Sequence, residues 1–502
     1  MVSGGDRESN EEPTSSLWGA LDEAVKQKKS RMSLELENPK TVFLKELDLY
    51  LQEPCLARSG DCLQYWRERK ERFPYVSKTT AALLGIQCIA VSSERLWSDA
   101  GNTVTHARES LPPNKLRMLL YLHKRDFTSN RRNWFAFVRD PIAVKGVLFT
   151  NGDIWKANRR ASLQYLREKK KAAFDEVILC ESFHLVEQIK LIQHLRKCPT
   201  ELFSMVAVNI TAQLVIGKRY SYDDKNFQYF RHCIYSFLMN SYKVGYRGCL
   251  PTFTYGWPII GSKMCQELLS QWRFATMFIN EELMQHKISK TADDLMSRLL
   301  EDRDDDCIIG ICLDLFFGTV DTISGTLSWC LYHLAKNPNL QQEIRAEISE
   351  NLASHCDIKK LKGLVTFQAF LSECMRRHVV FPFGVSHCTS KSFEVNKWVI
   401  PKGVPLFACL ENLMFNPSVW KCPGEFFIEN FIENKKYNKP KEFIPFSVGS
   451  RSCLGEKLAS RELQLLLANL IRSFEFCDTE DPRQISPFFN SPMPFGIKIE
   501  AI

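Results

Sequence analysis

From about residue 133 onward, apolar and polar positions alternate with a helical period. Apolar residues recur three or four positions apart, which predicts helices over residues 153–168, 177–196, 201–217, 265–286, 308–335, 338–352, 366–379 and 456–474. Short apolar runs typical of strands come late, at 383–389, 393–400, 404–408 and 494–500. Strands grouped late among many helices favour a mainly α fold with a small β-sheet portion.

Two segments with different patterns precede this region. Residues 1–40 hold six basic and eight acidic residues, so we expect a mostly disordered leader. Residues 41–126 show short helical stripes that stop at Pro54 and Pro74, which predicts a small helical N-terminal module. The sequence therefore divides into a leader, this module and a large region over 134–502.

Composition narrows the class of protein. Hydrophobic residues make up 45% of the 502 residues and charged residues 25%, which is ordinary for a soluble globular chain. The net charge of +8 is too mild for its length to indicate a nucleic-acid partner. The 18 cysteines are scattered without a Cys-x-x-Cys pair, which argues against zinc ribbons and disulfide scaffolds and favours a reducing, intracellular compartment. Without a secretory signal or a long apolar run, we expect no membrane-spanning segment.

One loop carries the most specific chemical signal. Residues 446–455 fit the pattern F-x-x-G-x-R-x-C-x-G, with Phe446, Gly449, Arg451, Cys453 and Gly455 at its fixed positions. The glycines permit a tight turn and close approach of a flat group. The predicted helix begins just after Cys453, so its N-terminal N–H groups, with Arg451 nearby, favour a thiolate. A cysteine thiolate is how haem iron is held for O–O cleavage.

This stretch resembles the haem-binding loop of the cytochrome P450 family. The resemblance implies heme b as cofactor, with Cys453 as the axial ligand of its iron. Phe446, Gly449, Arg451 and Gly455 would then form the cofactor-binding loop. Taken alone, the residues also permit a buried structural cysteine in a Gly-rich loop.

A second motif of that family lies upstream. Trp155 and Arg159 match its W-x-x-x-R helix, and the resemblance implies that they bind the haem propionates together with His387 and Arg451. The residues alone also permit an amphipathic surface helix with one buried tryptophan.

A third motif is an E-x-x-R pair on a predicted helix. Glu373 and Arg376 meet on one helix face because they are three residues apart, and the resemblance gives this pair a structural role. The family often adds an arginine to the pair from a later segment. Asn430 stands at that place here, so we expect a weaker buried network.

The fourth motif lies on the longest predicted helix, at 308–335. Asp321 and Thr322 resemble the acid and hydroxyl of the family's oxygen-activating helix, which implies that they relay protons as catalytic residues. Thr319 replaces a usual glycine there. The alternative is a plain core helix with one satisfied acid.

Residues 41–126 resemble a different family, the C-terminal dimerisation region of hAT-type DNA transposases. The resemblance rests on Asp61–Trp66, Phe73-Pro74 and Val91–Ser98. Glu94 occupies the place of one of that family's three catalytic acids. A lone carboxylate cannot hold the two metals of phosphoryl transfer, so we expect self-association into a homodimer and no transposase chemistry.

These resemblances imply a truncated cytochrome P450 fold behind a helical module. The P450-like region most resembles the microsomal drug- and steroid-hydroxylating group, without that group's N-terminal anchor and first sheet. The implied activity is a monooxygenase acting on a small apolar substrate, fed by an NADPH-dependent flavoprotein reductase. Location at the endoplasmic reticulum membrane follows from the family alone. The alternatives are an inactive fusion that only dimerises and a merged reading frame.

Overall fold

The computed structural model describes residues 45–46, 49, 65, 68–74, 76, 140–168, 171–245, 263–289, 293–352, 357–395, 398–486 and 489–502. The chain divides into two compact units, residues 1–84 and 85–502. The predicted leader lies outside the described residues, as do residues 77–126 of the predicted module, which include the Glu94 segment.

Within the first unit, two helical stretches meet. Glu46 is helical, and its Oε2 accepts a hydrogen bond at 3.0 Å from the backbone N–H of Val76. Phe73 and Val76 are buried, with 1% and 3% of their surface exposed. These contacts between residues 30 positions apart agree with the helical character predicted for this part of the chain.

The second unit is mainly helical. Its described helices are α1 (Gly152–Glu168), α2 (Lys171–Ile192), α3 (Thr200–Val215), α4 (Lys225–Gly245), α5 (Lys263–Ser289), α6 (Leu295–Leu299), α7 (Asp305–Thr319), α8 (Thr322–Lys336), α9 (Pro338–Asn351), α10 (Ile358–Leu361), α11 (Val365–Arg377), α12 (Leu410–Met414) and α13 (Glu456–Ser473). The mainly α fold class is confirmed. Helix α4 was not predicted, although its buried Phe227, Phe230, Ile234 and Phe237 recur at helical spacing.

Local chemistry sets several of these helix ends. Asp304 is the N-cap of α7, and its carboxylate accepts a hydrogen bond from the backbone N–H of Cys307 at 2.9 Å. Two more aspartates occupy its first turn, where negative charge is favoured by the helix dipole. Pro338 opens α9 at a position where its missing N–H costs nothing.

The helix predicted over 308–335 is in fact two helices with a break at Val320 and Asp321. The Thr319 hydroxyl donates to the Leu315 carbonyl at 2.9 Å, and the Thr322 hydroxyl donates to the Gly318 carbonyl at 2.8 Å. Such bonds to the carbonyl four residues back compete with the backbone ladder and bend helices. The break thus falls inside the motif that carries Asp321.

The strands are short and pair antiparallel in twos. They are β1 (His387–Cys388), β2 (Phe393–Val395), β3 (Trp398–Ile400), β4 (Pro405–Leu406), β5 (Ile432–Glu433), β6 (Lys436–Tyr437), β7 (Phe474–Cys477), β8 (Gln484–Ser486), β9 (Phe489–Pro492) and β10 (Lys498–Ala501). The pairs are β1 with β4, β2 with β3, β5 with β6, β7 with β10 and β8 with β9. The small β portion predicted late in the chain is confirmed, and β5 to β9 were not predicted.

Helices α3, α7 and α8 form the centre of this unit. Helix α3 lies between two apolar clusters, one built mainly on α2, α8, α9, α11 and α13 and the other on α4, α5 and α7. Residues 305–336 are long and apolar enough to cross a membrane, but 72% of that apolar window is buried inside the fold. Packing within the protein therefore accounts for their apolar character.

Helix α13, which follows the cysteine loop, carries a buried carboxyl. Glu462 is 1% exposed, and its Oε2 has no hydrogen-bond partner among the described residues. Burial raises the pKa of Glu462 to about 8, because the charged form loses its hydration. The carboxyl is therefore neutral at pH 7 in the folded protein.

We expect stability to fall between the unfolded pKa of Glu462, about 4.3, and its folded pKa of about 8. Over that range the folded state keeps a proton that the unfolded chain releases, which costs up to about 1.4 kcal/mol per pH unit. Glu462→Gln should flatten this slope in urea unfolding measured from pH 5 to 9. Glu187→Gln, at an exposed side chain, should leave it intact. An unchanged slope in Glu462→Gln would contradict the assignment.

Candidate active site

The cysteine loop is closed by its own backbone. Gly449 has a φ of +86°, which L-residues with a Cβ rarely adopt. The N–H of Cys453 donates to the Phe446 carbonyl at 2.9 Å, and that of Ser452 donates to the Gly449 carbonyl at 3.2 Å. Gly455 is the N-cap of α13, so the loop delivers Cys453 to the start of that helix as predicted.

The Cys453 sulfur is crowded by protein, yet the residue keeps accessible surface. Burial raises the pKa of the Cys453 thiol, and the backbone N–H groups of Gly455 and Glu456 together with the Arg159 guanidinium only partly oppose that rise. The N–H groups at the helix N-terminus thus favour the thiolate, as predicted, but burial outweighs their effect on the pKa, and the guanidinium that assists them is that of Arg159. A coordinated metal ion would reverse the balance, since it deprotonates a thiol outright.

Helix α1 holds the cysteine loop. Arg159 donates from Nη2 to the Ser452 carbonyl at 2.8 Å, next to the cysteine. The Arg451 guanidinium lies over the Trp155 ring, 3.8 Å from its centroid. Trp155 and Arg451 are 8% and 6% exposed. The structure thus brings Trp155 and Arg159 next to Arg451 and Cys453, although the two pairs lie about 300 residues apart in sequence.

A half-buried acid that was not predicted as a site residue fixes the segment before α1. One oxygen of Asp314, on α7, accepts from the backbone N–H groups of Val147 and Leu148 at 2.6 and 2.7 Å. Burial raises its pKa to about 7, against the effect of these two bonds. The same segment also accepts a hydrogen bond from Arg451, whose Nη2 donates to the Thr150 carbonyl oxygen at 2.7 Å. An acid inside an apolar helix was the sequence signal for this role.

The E-x-x-R pair is fully buried. Arg376 donates from Nε and Nη2 to the two oxygens of Glu373, both at 2.7 Å, and both side chains are 0% exposed. The guanidinium also donates to the carbonyls of Met414, Pro423 and Glu425 at 2.7, 3.0 and 2.9 Å. It therefore ties α11 to the segment that leads towards the cysteine loop.

Asn430 reaches this pair. Its Nδ2 lies 3.4 Å from each carboxylate oxygen of Glu373, and the backbone N–H of Phe427 donates to Glu373 at 2.9 Å. Burial raises the pKa of Glu373, while Arg376 opposes that rise. A neutral amide at long range thus stands where the family often has an arginine, in keeping with the predicted weaker network.

Asp321 and Thr322 lie at the helix break, but their side chains face different partners. The Ser491 hydroxyl donates to Asp321 Oδ2 at 2.6 Å, whereas the Thr322 hydroxyl donates across the break to the Gly318 carbonyl of α7. Burial raises the pKa of Asp321 to about 6, and the bond from Ser491 opposes that rise. Thr319 accepts from the Thr211 hydroxyl at 3.1 Å, which ties α3 to the same point.

His387 lies on β1, opposite Leu406 of β4, and is 6% exposed. Its role toward a haem remains a prediction, since its placement in the strand pair does not itself identify a ligand.

The residues at the loop fit a haem. The indole Nε1 of Trp155 is buried and has no hydrogen-bond partner among the described residues. A haem propionate is an acceptor of the kind that such a donor needs. The guanidinium groups of Arg159 and Arg451 supply positive charge beside it. Cys453 lies beside the same group of side chains, since the Arg159 guanidinium is close enough to lower the pKa of its thiol.

A mainly helical fold with a cysteine loop of this kind defines the haem-thiolate class of enzymes. The chain belongs to the cytochrome P450 family, whose model matches residues 114–498. It is 29% identical to cytochrome P450 2J3 of Rattus norvegicus, covering 71% of this chain and 75% of that protein. Against the 3-ketosteroid oxygenase of Caenorhabditis elegans the identity is 27%, with 74% and 68% covered. Against cytochrome P450 2B4 of Oryctolagus cuniculus it is 28%, with 69% and 74% covered.

Membership of the family makes the chain a cytochrome P450 monooxygenase, with haem held by a cysteine thiolate as its cofactor. Residues 46–125 match a second family model, the hAT family C-terminal dimerisation region. Both resemblances noted in the sequence are confirmed. The matches do not favour an inactive fusion over an oxidative enzyme.

Proposed function

We propose that this protein inserts one atom of O2 into a small apolar substrate, using electrons from an NADPH-dependent flavoprotein reductase. Haem supplies the redox chemistry when bound: two electrons and two protons convert the second oxygen atom to water. The observation that carries the proposal is the attachment of the Cys453 loop to α1 through Arg159 and through Arg451 stacked on Trp155.

We assign each predicted site residue a task. Cys453 is the iron ligand, and Phe446, Gly449 and Gly455 shape its loop. Trp155, Arg159, His387 and Arg451 bind the propionates as donors. Asp321 and Thr322 hold and pass protons through Oδ2 and Oγ1. The Glu373 and Arg376 pair keeps its predicted structural role.

An apolar substrate suits the residues around α7. Phe316 and Phe317 on this helix are buried, and they contact aromatic rings of α4 and α5, such as Phe230 at 5.0 Å and Trp272 at 6.2 Å between ring centroids. Aromatic packing of this kind makes the interior beside α7 apolar, which supports an apolar substrate over a polar one.

A reductase with an acidic surface suits the outer side of the cysteine loop. An open cleft of about 420 Å³ is lined there by Lys439, Lys441, Phe446, Ser452 and Glu456, among others. Both lysines are exposed. Positive charge around a docking site speeds encounter with a negatively charged partner.

We further propose a homodimer formed through residues 41–126, because the hAT dimerisation model matches 46–125. We place the protein at the endoplasmic reticulum membrane by analogy with the family's microsomal group.

The full chain, reconstituted with haem and a flavoprotein reductase, should consume NADPH and place 18O from 18O2 in a new hydroxyl group of an apolar probe such as testosterone. The oxygenated product is measured by mass spectrometry. The matched control is the same mixture with H2 18O and ordinary O2, in which the new hydroxyl oxygen of testosterone should carry no label. If the protein takes up haem but incorporates 18O into none of a panel of apolar substrates, the proposed function is contradicted.

A further inference from the structure

We propose that Ser491 is the positioning residue of Asp321, holding its carboxyl in one orientation at the helix break so that it can take up and release protons. The inference rests on the proposed function, because it is Asp321 that is assigned the proton there. Ser491 comes from β9, near the C-terminus, and lies 170 residues from Asp321 in the sequence.

The contact between the two side chains is short and buried. Ser491 Oγ lies 2.6 Å from Asp321 Oδ2, and each residue is 2% exposed. A buried carboxyl needs a hydrogen-bond partner, since loss of hydration is otherwise uncompensated. The hydroxyl of Thr322, the next residue in the sequence, donates instead to the Gly318 carbonyl at 2.8 Å. Ser491 is therefore the side chain that orients the acid.

The fold fixes Ser491 in place. Its neighbour Asn490 accepts from Trp329 Nε1 at 2.8 Å and donates its backbone N–H to the Val380 carbonyl at 3.0 Å. Gly325 permits the approach, because a Cβ there would lie 2.6 Å from Ser491 Oγ and 3.2 Å from its Cβ. Since β9 is anchored to α8 through Trp329 and to the segment after α11 through Val380, the hydroxyl has little freedom to leave the carboxyl.

Among the groups around Asp321, Ser491 is the main one that opposes the effect of burial on the pKa of its carboxyl. Burial raises the Asp321 pKa to about 6, and the Ser491 bond lowers it. On α4, burial and the nearby Asp321 raise the pKa of Tyr235 to about 12, which keeps its phenol neutral, while Arg231 opposes this rise. Helix α3 presents the Thr211 hydroxyl, which donates to Thr319. Removing the Ser491 hydroxyl should therefore raise the pKa of Asp321 further.

The test is an infrared titration of the Asp321 carboxyl in the haem-loaded full chain, with Asp321→Asn used to assign the band. Wild type should titrate near pH 6, and Ser491→Ala should shift the midpoint upward by roughly one pH unit. Ser491→Thr keeps the hydroxyl and should restore it. Ser324→Ala is the matched control, because the Ser324 hydroxyl bonds the carbonyls of Val320 and Asp321 at 3.0 and 3.2 Å but not the carboxyl.

A second readout is the pH profile of NADPH-driven 18O incorporation, whose acid-dependent limb should move with the infrared midpoint in Ser491→Ala. An unchanged midpoint in Ser491→Ala overturns the inference, even where oxidation persists. Conversely, a shifted midpoint with no oxidation in wild type overturns the proposed function and leaves the contact established. Equal shifts in Ser324→Ala and Ser491→Ala would also overturn the inference, because the effect would then be general to the helix break.

Discussion

Cys453→Ala should abolish the red-shifted carbon-monoxide band of the reduced, haem-loaded protein and reduce NADPH-driven oxidation to background. The band belongs to thiolate-ligated haem iron, and alanine has no donor atom. The loop should still fold, because the backbone bond from residue 453 to the Phe446 carbonyl and the anchor from Arg159 to the Ser452 carbonyl do not involve the sulfur.

Cys180→Ala is the matched control for that experiment. Cys180 is also an exposed cysteine, but it lies on α2, and its sulfur is near His184 at 3.9 Å. This variant should keep the full band. A band that survives in Cys453→Ala, or one that is lost equally in Cys180→Ala, would place the iron ligand elsewhere in the chain.

The cysteine loop could be predicted because its chemistry needs fixed residue types at short range. Gly449 must take a positive φ, and Cys453 must stand before a helix, so five positions within ten residues carry the signal. The helices α1 and α13 were predicted within a residue or two for a similar reason: their apolar stripes are strictly periodic. Local patterns of this kind remain visible without any knowledge of tertiary structure.

The partners of the site residues could not be predicted in this way. Asp321 bonds Ser491, which lies 170 residues away, and Asp314 holds backbone groups about 165 residues away. No local period encodes such pairs. The break at Val320 was missed because an apolar stripe continues across it, while the threonine hydroxyls that bend the helix leave the stripe unchanged.

The buried E-x-x-R pair provides the second large expected effect. Arg376→Ala should destabilise the folded protein by about 3–5 kcal/mol, since it leaves Glu373 as an unpaired buried charge. It also removes the donors of three backbone carbonyls, those of Met414, Pro423 and Glu425. The measurement is the free energy of unfolding in urea at pH 7, followed by circular dichroism.

An exposed ion pair gives the matched control for this effect. Arg298 donates to Glu168 at 2.8 Å, but the two side chains are 48% and 50% exposed, so Arg298→Ala should cost less than about 1 kcal/mol. Replacing both partners, as in Glu373→Gln with Arg376→Met, should recover part of the loss, because no uncompensated charge is then buried. Equal costs for Arg376→Ala and Arg298→Ala would mean that water reaches Glu373, and that the pair does not tie α11 to the segment leading to Cys453.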